Sequence, residues 1–391
     1  MRLDGLRVLD LTRLLPGPYA TQLLHDAGAD VIKVEDTEQG DYARDSPPYS
    51  DRGVGALFDA VNRGKRSVSI DLKADAGRDA FYGLVADCDV VFEGFRPGVT
   101  DRLGIDYDTL SEHNPELVYC SLTGYGHTGP EASRVGHDLN YIGIAGLLDM
   151  TRDGGDETPR IPGYPIADMA GGLFAAFSIV GAVCSRELGN TGGEHLDVAM
   201  TDVVASFSQP ISAVAAAGES PRPGGTALTG ALPWYDVYET SDGRYVTLAA
   251  LEPKFWRTFC EAVDREELID AQGSDDPATL KATGEELDAL FRSKTRAEWE
   301  DELGDVPAMF GPVNTPEETL SYPQIEARDL LVRSDEAPLR VSFPARSTDE
   351  PTGSDESIPD RGEHTTEVLR EGGWSDAEID GLRDGGAIEQ A

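Results

Sequence analysis

The first half of the chain alternates short β-rich runs with helical patterns, and this alternation restricts the fold more than any other feature. "LRVLDLT", "DVIKVE", "RSVSIDL", "DVVFEGF" and "ELVYCSLTGYG" are the β-rich runs; "YATQLLHDAGA", "GRDAFYGLVAD" and "YDTLSEHN" lie between them with helical spacing. Strands that alternate with helices build βαβ units, and their parallel sheet has to be covered by helices. The expected fold class is therefore α/β. The loop after the first strand, "RLLPGP", has no GxGxxG pattern, and no P-loop occurs. Nothing in the pattern favours a nicotinamide cofactor.

A long apolar helix pattern runs from Asp168 to Glu187, and "GGEHLDVAMTDVVASF" reads as a strand leading into another helix. The composition then shifts to Gly, Pro and small residues in "AAAGESPRPGGTALTGALP", which marks a crossing into a second domain. There, "WYDVYETSDGRYVTLAAL" predicts a hairpin with "SDG" at its turn. The expected division is a large domain over residues 1–215, a small one over 225–330, and a C-terminal segment, 331–391, that returns to the large domain.

Charge narrows the partners. The formal net charge is −39, carried with only 6 lysines against 27 arginines, which argues against nucleic acid. The acidic residues are spread along the whole chain rather than gathered in a tail, so we expect a solvated halophilic surface on which salt relieves self-repulsion. The apolar runs fall short of the roughly 20 residues that span a bilayer, and the N-terminus has no signal pattern; a cytoplasmic protein without a membrane is expected. Cys88, Cys120, Cys184 and Cys260 lie far apart in apolar segments, which suits buried reduced thiols better than disulfides or metal ligands.

Where cations do gather is informative. "NRGKRSVSIDLK" packs Arg63, Lys65, Arg66 and Lys73 into twelve residues, a pattern that suits phosphate groups, although surface pairing with surplus carboxylates would produce it too. "LRVLDLTRLLPGPYATQLLHDAGADVIKVE", "NRGKRSVSIDLK", "VVFEGFRPGVTDRLGIDYDTL" and "LVYCSLTGYGHTGP", in this order, resemble the class III CoA-transferase family, the group of formyl-CoA transferase and carnitine CoA-transferase. The resemblance implies a Rossmann-like large domain, a smaller α+β domain, an interlocked homodimer, and an acyl-CoA substrate with no separate cofactor or metal. It makes Lys33, Lys65, Arg66, Lys73 and Arg96 candidate contacts to CoA.

In "IPGYPIADMAGGLFAAF", Asp168 stands before an apolar helix pattern, and aspartate there would serve as an N-cap for stability alone. The same placement puts a carboxylate at a positive helix end, beside Gly171 and Gly172, where a ligand could approach the backbone. In the family, the aspartate at this place is the catalytic carboxylate. "VGHDLNY" contains His137, one of six histidines; a lone histidine in a glycine-bounded loop is more often structural than catalytic. The α-methylacyl-CoA racemase branch of the family, however, carries "GHD-NY" with histidine as one of two bases. "ALEPKFW" resembles the segment of that branch whose glutamate, here Glu252, orients the histidine. The reaction implied is epimerisation of a 2-methyl-branched acyl-CoA, in which His137 and Asp168 face opposite sides of the α-carbon. N–H groups near Asp168 and Gly171 are candidates to hold the enolate oxygen. The alternative is acyl-CoA:carboxylate CoA transfer with Asp168 as nucleophile; a CoA-binding protein without turnover would not need all three residues.

Overall fold

A computed structural model describes residues 2–152, 157–332, 339–348 and 357–391. The chain divides into two compact units: Met1–Leu147 with Pro162–Ser208 and Arg328–Ala391, and Leu148–Ile161 with Gln209–Ala327. The excursion Leu148–Ile161, which the sequence pattern left inside the large domain, groups with the second unit. Of the C-terminal segment, residues 333–338 and 349–356 lie outside the described residues.

The first unit is built on strands β1 (Arg7–Asp10), β2 (Asp30–Glu35), β3 (Arg66–Ile70), β4 (Val90–Glu93), β5 (Val118–Thr123) and β6 (Glu194–Ala199). They stand in the order β3-β2-β1-β4-β5-β6, all parallel, and the short strand Ile388–Glu389 is added antiparallel to β3. β4 and β5 are buried along their whole length and β2 from Val31 onward, as strands covered on both faces are, and the buried stretches include the charged residues Lys33, Glu35 and Glu93. Helices α1 (Pro16–Asp26), α2 (Ala56–Val61), α3 (Asp75–Ala86), α4 (Val99–Leu103), α5 (Tyr107–His113), α6 (Asp138–Ile144), α7 (Ile166–Glu187) and α8 (Met200–Ser206) supply the cover. On one face, Leu9, Ile32, Val68, Val91 and Tyr119 pack with Phe81 and Leu84 of α3 and with Val368, Leu369, Ile379 and Leu382 near the C-terminus.

α7 lies along α1 and α8 and against β5, and glycine makes the approach possible. A Cβ on Gly171 would come within 2.5 Å of Met200, and one on Gly172 within 2.3 Å of the Pro16 carbonyl. These glycines serve helix packing, not the approach of a ligand that the sequence pattern suggested. Among the described residues α7 is the one helix long and apolar enough to cross a bilayer, yet one side of it, including Ala170, Ala175, Ala176 and Ile179, is buried within this unit; Cys184, expected to be buried, is instead exposed on the same helix, while Cys88, Cys120 and Cys260 are buried.

The second unit has a three-stranded sheet, with β8 (Tyr245–Ala249) between β7 (Tyr235–Glu239) and β9 (Phe310–Pro312), all antiparallel. The β7–β8 turn is the "SDG" segment, with Gly243 at φ 72°. Trp256, Phe259, Phe291 and Trp299 centre its core.

Candidate active site

The strand order reverses between β1 and β4, and in an open parallel sheet ligands bind beyond the carboxyl ends of the strands at such a point. Arg96 is exposed two residues past Gly94, in the loop that leaves β4. Glu93 shapes that loop: it is buried, and its Oε2 accepts the Phe95 N–H at 2.6 Å. Burial pushes its carboxyl up to about 7.

The five proposed CoA contacts separate. Lys33 is fully buried, with its Nζ 2.9 Å from Asp41 Oδ2 and donating to the Thr12 carbonyl at 3.0 Å. Lys65 is also enclosed, donating to Thr21 Oγ1 at 2.7 Å, to Asn62 Oδ1 and the Pro18 carbonyl at 3.0 Å, and meeting Asp10 Oδ2 at 3.4 Å. Burial, together with the Lys33 charge, lowers the Lys65 ammonium to about 7. Arg66 is held by Asp30, Glu367 and Glu371. For these three, the phosphate role expected from sequence is corrected: their charges neutralise interior or neighbouring carboxylates and present little to a ligand. Lys73, whose side chain is 70% exposed and 3.8 Å from Glu38, and Arg96 keep accessible charge. Among the described residues no group of three or more His, Cys, Asp or Glu is arranged to hold a metal.

His137 and Asp168 come from the starts of two neighbouring helices. His137 is the extended residue preceding α6 and is exposed. Asp168 is not the cap of α7, as its position in the sequence suggested, but lies within the first turn, which begins at Ile166. The cap is Asp138 of α6, whose Oδ1 accepts the N–H groups of Ala167 at 2.6 Å and Asp168 at 3.2 Å. That arrangement also removes the Asp168 N–H as a donor to an enolate, and Gly171 lies inside the helix.

Burial, then the Asp138 charge, push the Asp168 carboxyl up to about 6, against the opposing pull of His137. Both its acid and its carboxylate form are thus accessible near neutral pH, the condition a group needs to give and take a proton. Asp138 joins the candidate site through these bonds, and in the sequence only its place beside His137 points to it. Glu252 belongs to the second unit, where it is exposed and immediately precedes the helix Pro253–Ala262.

Known proteins share this architecture. A succinyl-CoA:mesaconate CoA-transferase from Haloarcula marismortui is 36% identical, over 95% of this chain and 96% of its own. The human alpha-methylacyl-CoA racemase is 32% identical, over 100% of this chain and 98% of its own. The crystal structure of a CAIB/BAIF family protein from Brucella suis matches with a TM-score of 0.81 at 34% identity, covering 95% of this chain and 99% of that one. The sequence profile of CoA-transferase family III matches residues 3–365, and with these relatives on both sides of the family's chemistry, the chain belongs to CoA-transferase family III.

Proposed function

We propose that the protein is an epimerase of 2-methyl-branched acyl-CoA thioesters, working as a cytoplasmic homodimer without a separate cofactor. The supporting observation is the tie between two helix starts: Asp138, next to His137, caps the helix that presents Asp168, so a base and a tunable carboxyl are held in one locality. A neutral His137 removes the α-proton from one face of the thioester's α-carbon, and protonated Asp168 delivers a proton to the other; the roles exchange for the opposite epimer. Such acid–base help is typically worth about 10²–10⁴-fold. The orienting role given to Glu252 rests on the resemblance of "ALEPKFW" to the racemase branch. Lys73 and Arg96 are the CoA contacts we retain. The homodimer is supported by the outward side of α7, where Leu173, Phe174 and Phe177 are exposed and Phe207 lies beside Phe174.

A second reading is favoured by the somewhat higher identity to the Haloarcula CoA-transferase than to the racemase. There, the Asp168 carboxylate attacks the thioester carbonyl and expels CoA thiolate to give a mixed anhydride. The thiolate then attacks the aspartyl carbonyl and releases the first acid, leaving an aspartyl-CoA thioester for the acceptor carboxylate. Incubation with (S)-2-methylacyl-CoA in D₂O, without an acceptor acid, separates the two. Deuterium at the α-carbon with epimerisation is the result expected; no exchange there, together with CoA transfer in a parallel incubation to which a carboxylate is added, would establish the second reading instead.

A further inference from the structure

We infer that Asn140 and Tyr141 are positioning residues for His137, because together they grip both polar atoms of the peptide group that joins Gly136 to His137. Asn140 Oδ1 accepts the His137 N–H at 3.0 Å. Tyr141 Oη donates to the Gly136 carbonyl at 2.5 Å. A peptide plane bonded at one edge can still swing about its neighbouring φ and ψ, whereas one held at both its N–H and its C=O cannot. The direction in which the imidazole leaves the backbone is set by that plane, with His137 at φ −129° and ψ 174°.

The tyrosine half of the clamp sits in a slot made for it. Tyr141 is 6% exposed. A Cβ on Gly124 would lie 2.4 Å from its ring and one on Gly136 2.8 Å from it, so both positions have to be glycine for the ring to fit. Tyr125 closes the slot edge-on, with ring centroids 5.1 Å apart and an interplanar angle of 83°. The clamp and the cap of α7 also share one helical turn: Asp138 binds the helix of Asp168 while Asn140 and Tyr141 hold His137. α6 therefore sets the position of one proposed base relative to the other.

The inference rests on His137 acting as a base, as proposed above, and its test keeps the two ideas apart. Tyr141→Phe removes only the hydroxyl, and Asn140→Ala removes the acceptor at an exposed position; both are compared with His137→Ala. Exchange of the α-proton in D₂O is measured separately for each epimer of a 2-methylacyl-CoA, with KM, kcat and melting temperature. Loss of alignment on the order of an ångström costs up to about 10²-fold. We expect exchange of the epimer whose proton faces His137 to fall about 10- to 100-fold in kcat with KM unchanged, while exchange of the other epimer, served by Asp168, persists. Epimerisation falls in both directions, since each turnover uses both groups. If exchange of both epimers falls in parallel, or neither changes while His137→Ala abolishes its own, the clamp is structural and this inference fails alone. A wild-type protein that exchanges no α-proton overturns the epimerase reading and this inference with it. Should Tyr141→Phe not fold, Asn140→Ala decides the outcome.

Discussion

Asp138 Oδ1 accepts the backbone N–H of Asp168 at 3.2 Å, so one acid caps the helix turn in which the other stands. A cap ordinarily lowers its own cost by quieting N–H groups at a positive helix end. Burial already favours the acid form of Asp168, and the cap adds to this by placing a second negative charge beside it.

Asp138→Asn should keep the accepting oxygen and delete that charge. With burial alone left to raise it, the Asp168 carboxyl falls back toward its ordinary range. The acidic limb of the kcat/KM profile for epimerisation, measured from pH 4 to 9, is expected to move to lower pH in both directions. A limb that stays where it was would assign it to a group other than Asp168.

The same carboxyl has a signature in stability. Its native value, about 6, lies above its ordinary one, so between roughly pH 4 and 6 the native state holds a proton that the unfolded chain has released. The stabilisation from this group is full below that window and is lost as pH rises through it. Comparing urea unfolding of the wild type with Asp168→Asn at several pH values should show the wild type's relative stability declining across the window. A flat difference would mean that Asp168 is not raised.

Cations divide by burial. Lys65→Met leaves the buried Asp10 carboxylate without one of its partners, and removing one member of a buried pair typically costs about 3–5 kcal/mol; chemical denaturation should report a loss of that order. Lys73→Ala and Arg96→Ala should instead leave the melting temperature in place and weaken CoA binding by calorimetry, with a loss that shrinks as salt is added. CoA affinity unchanged in both would remove them from the ligand.

With a net charge of −39, self-repulsion should dominate the response to ionic strength. The melting temperature is expected to climb from low salt to multimolar KCl, and a salt-independent value would count against a salt-adapted surface.

Phe177 is 71% exposed on α7. Light scattering of the wild type is expected to give the mass of two chains, and Phe177→Asp should shift the population toward one. A wild-type monomer at micromolar concentration would leave the apolar side of α7 without its proposed cover.

The alternation of β1, α1, β2 and the elements that follow was readable because central parallel strands are rich in Val, Ile and Leu and helices are periodic, and the Thr240–Gly243 turn was readable from its glycine. What escaped depends on pairing at a distance. Lys33 and Lys65 look the same in sequence whether they face phosphate or a carboxylate such as Asp10 or Asp41 in the interior. Likewise, Asp168 stands where a cap belongs; only the fold shows that the cap comes from Asp138, from which Ala167 is separated by 29 positions. The histidine in "VGHDLNY" was visible at once, but the roles of its neighbours required the backbone bonds of one peptide group.

The antiparallel pairing of Ile388 with Ile70 has a consequence for how the chain is made. β3 leaves the ribosome early and its outer partner late; at about 5–20 residues per second the interval is on the order of tens of seconds. Throughout it, the outer edge of β3 offers unpaired N–H and C=O groups to any other strand nearby. Closing so long a loop is also slow in its own right. Nascent chains are thus exposed to edge-to-edge association until Ile388 has emerged and paired with Ile70.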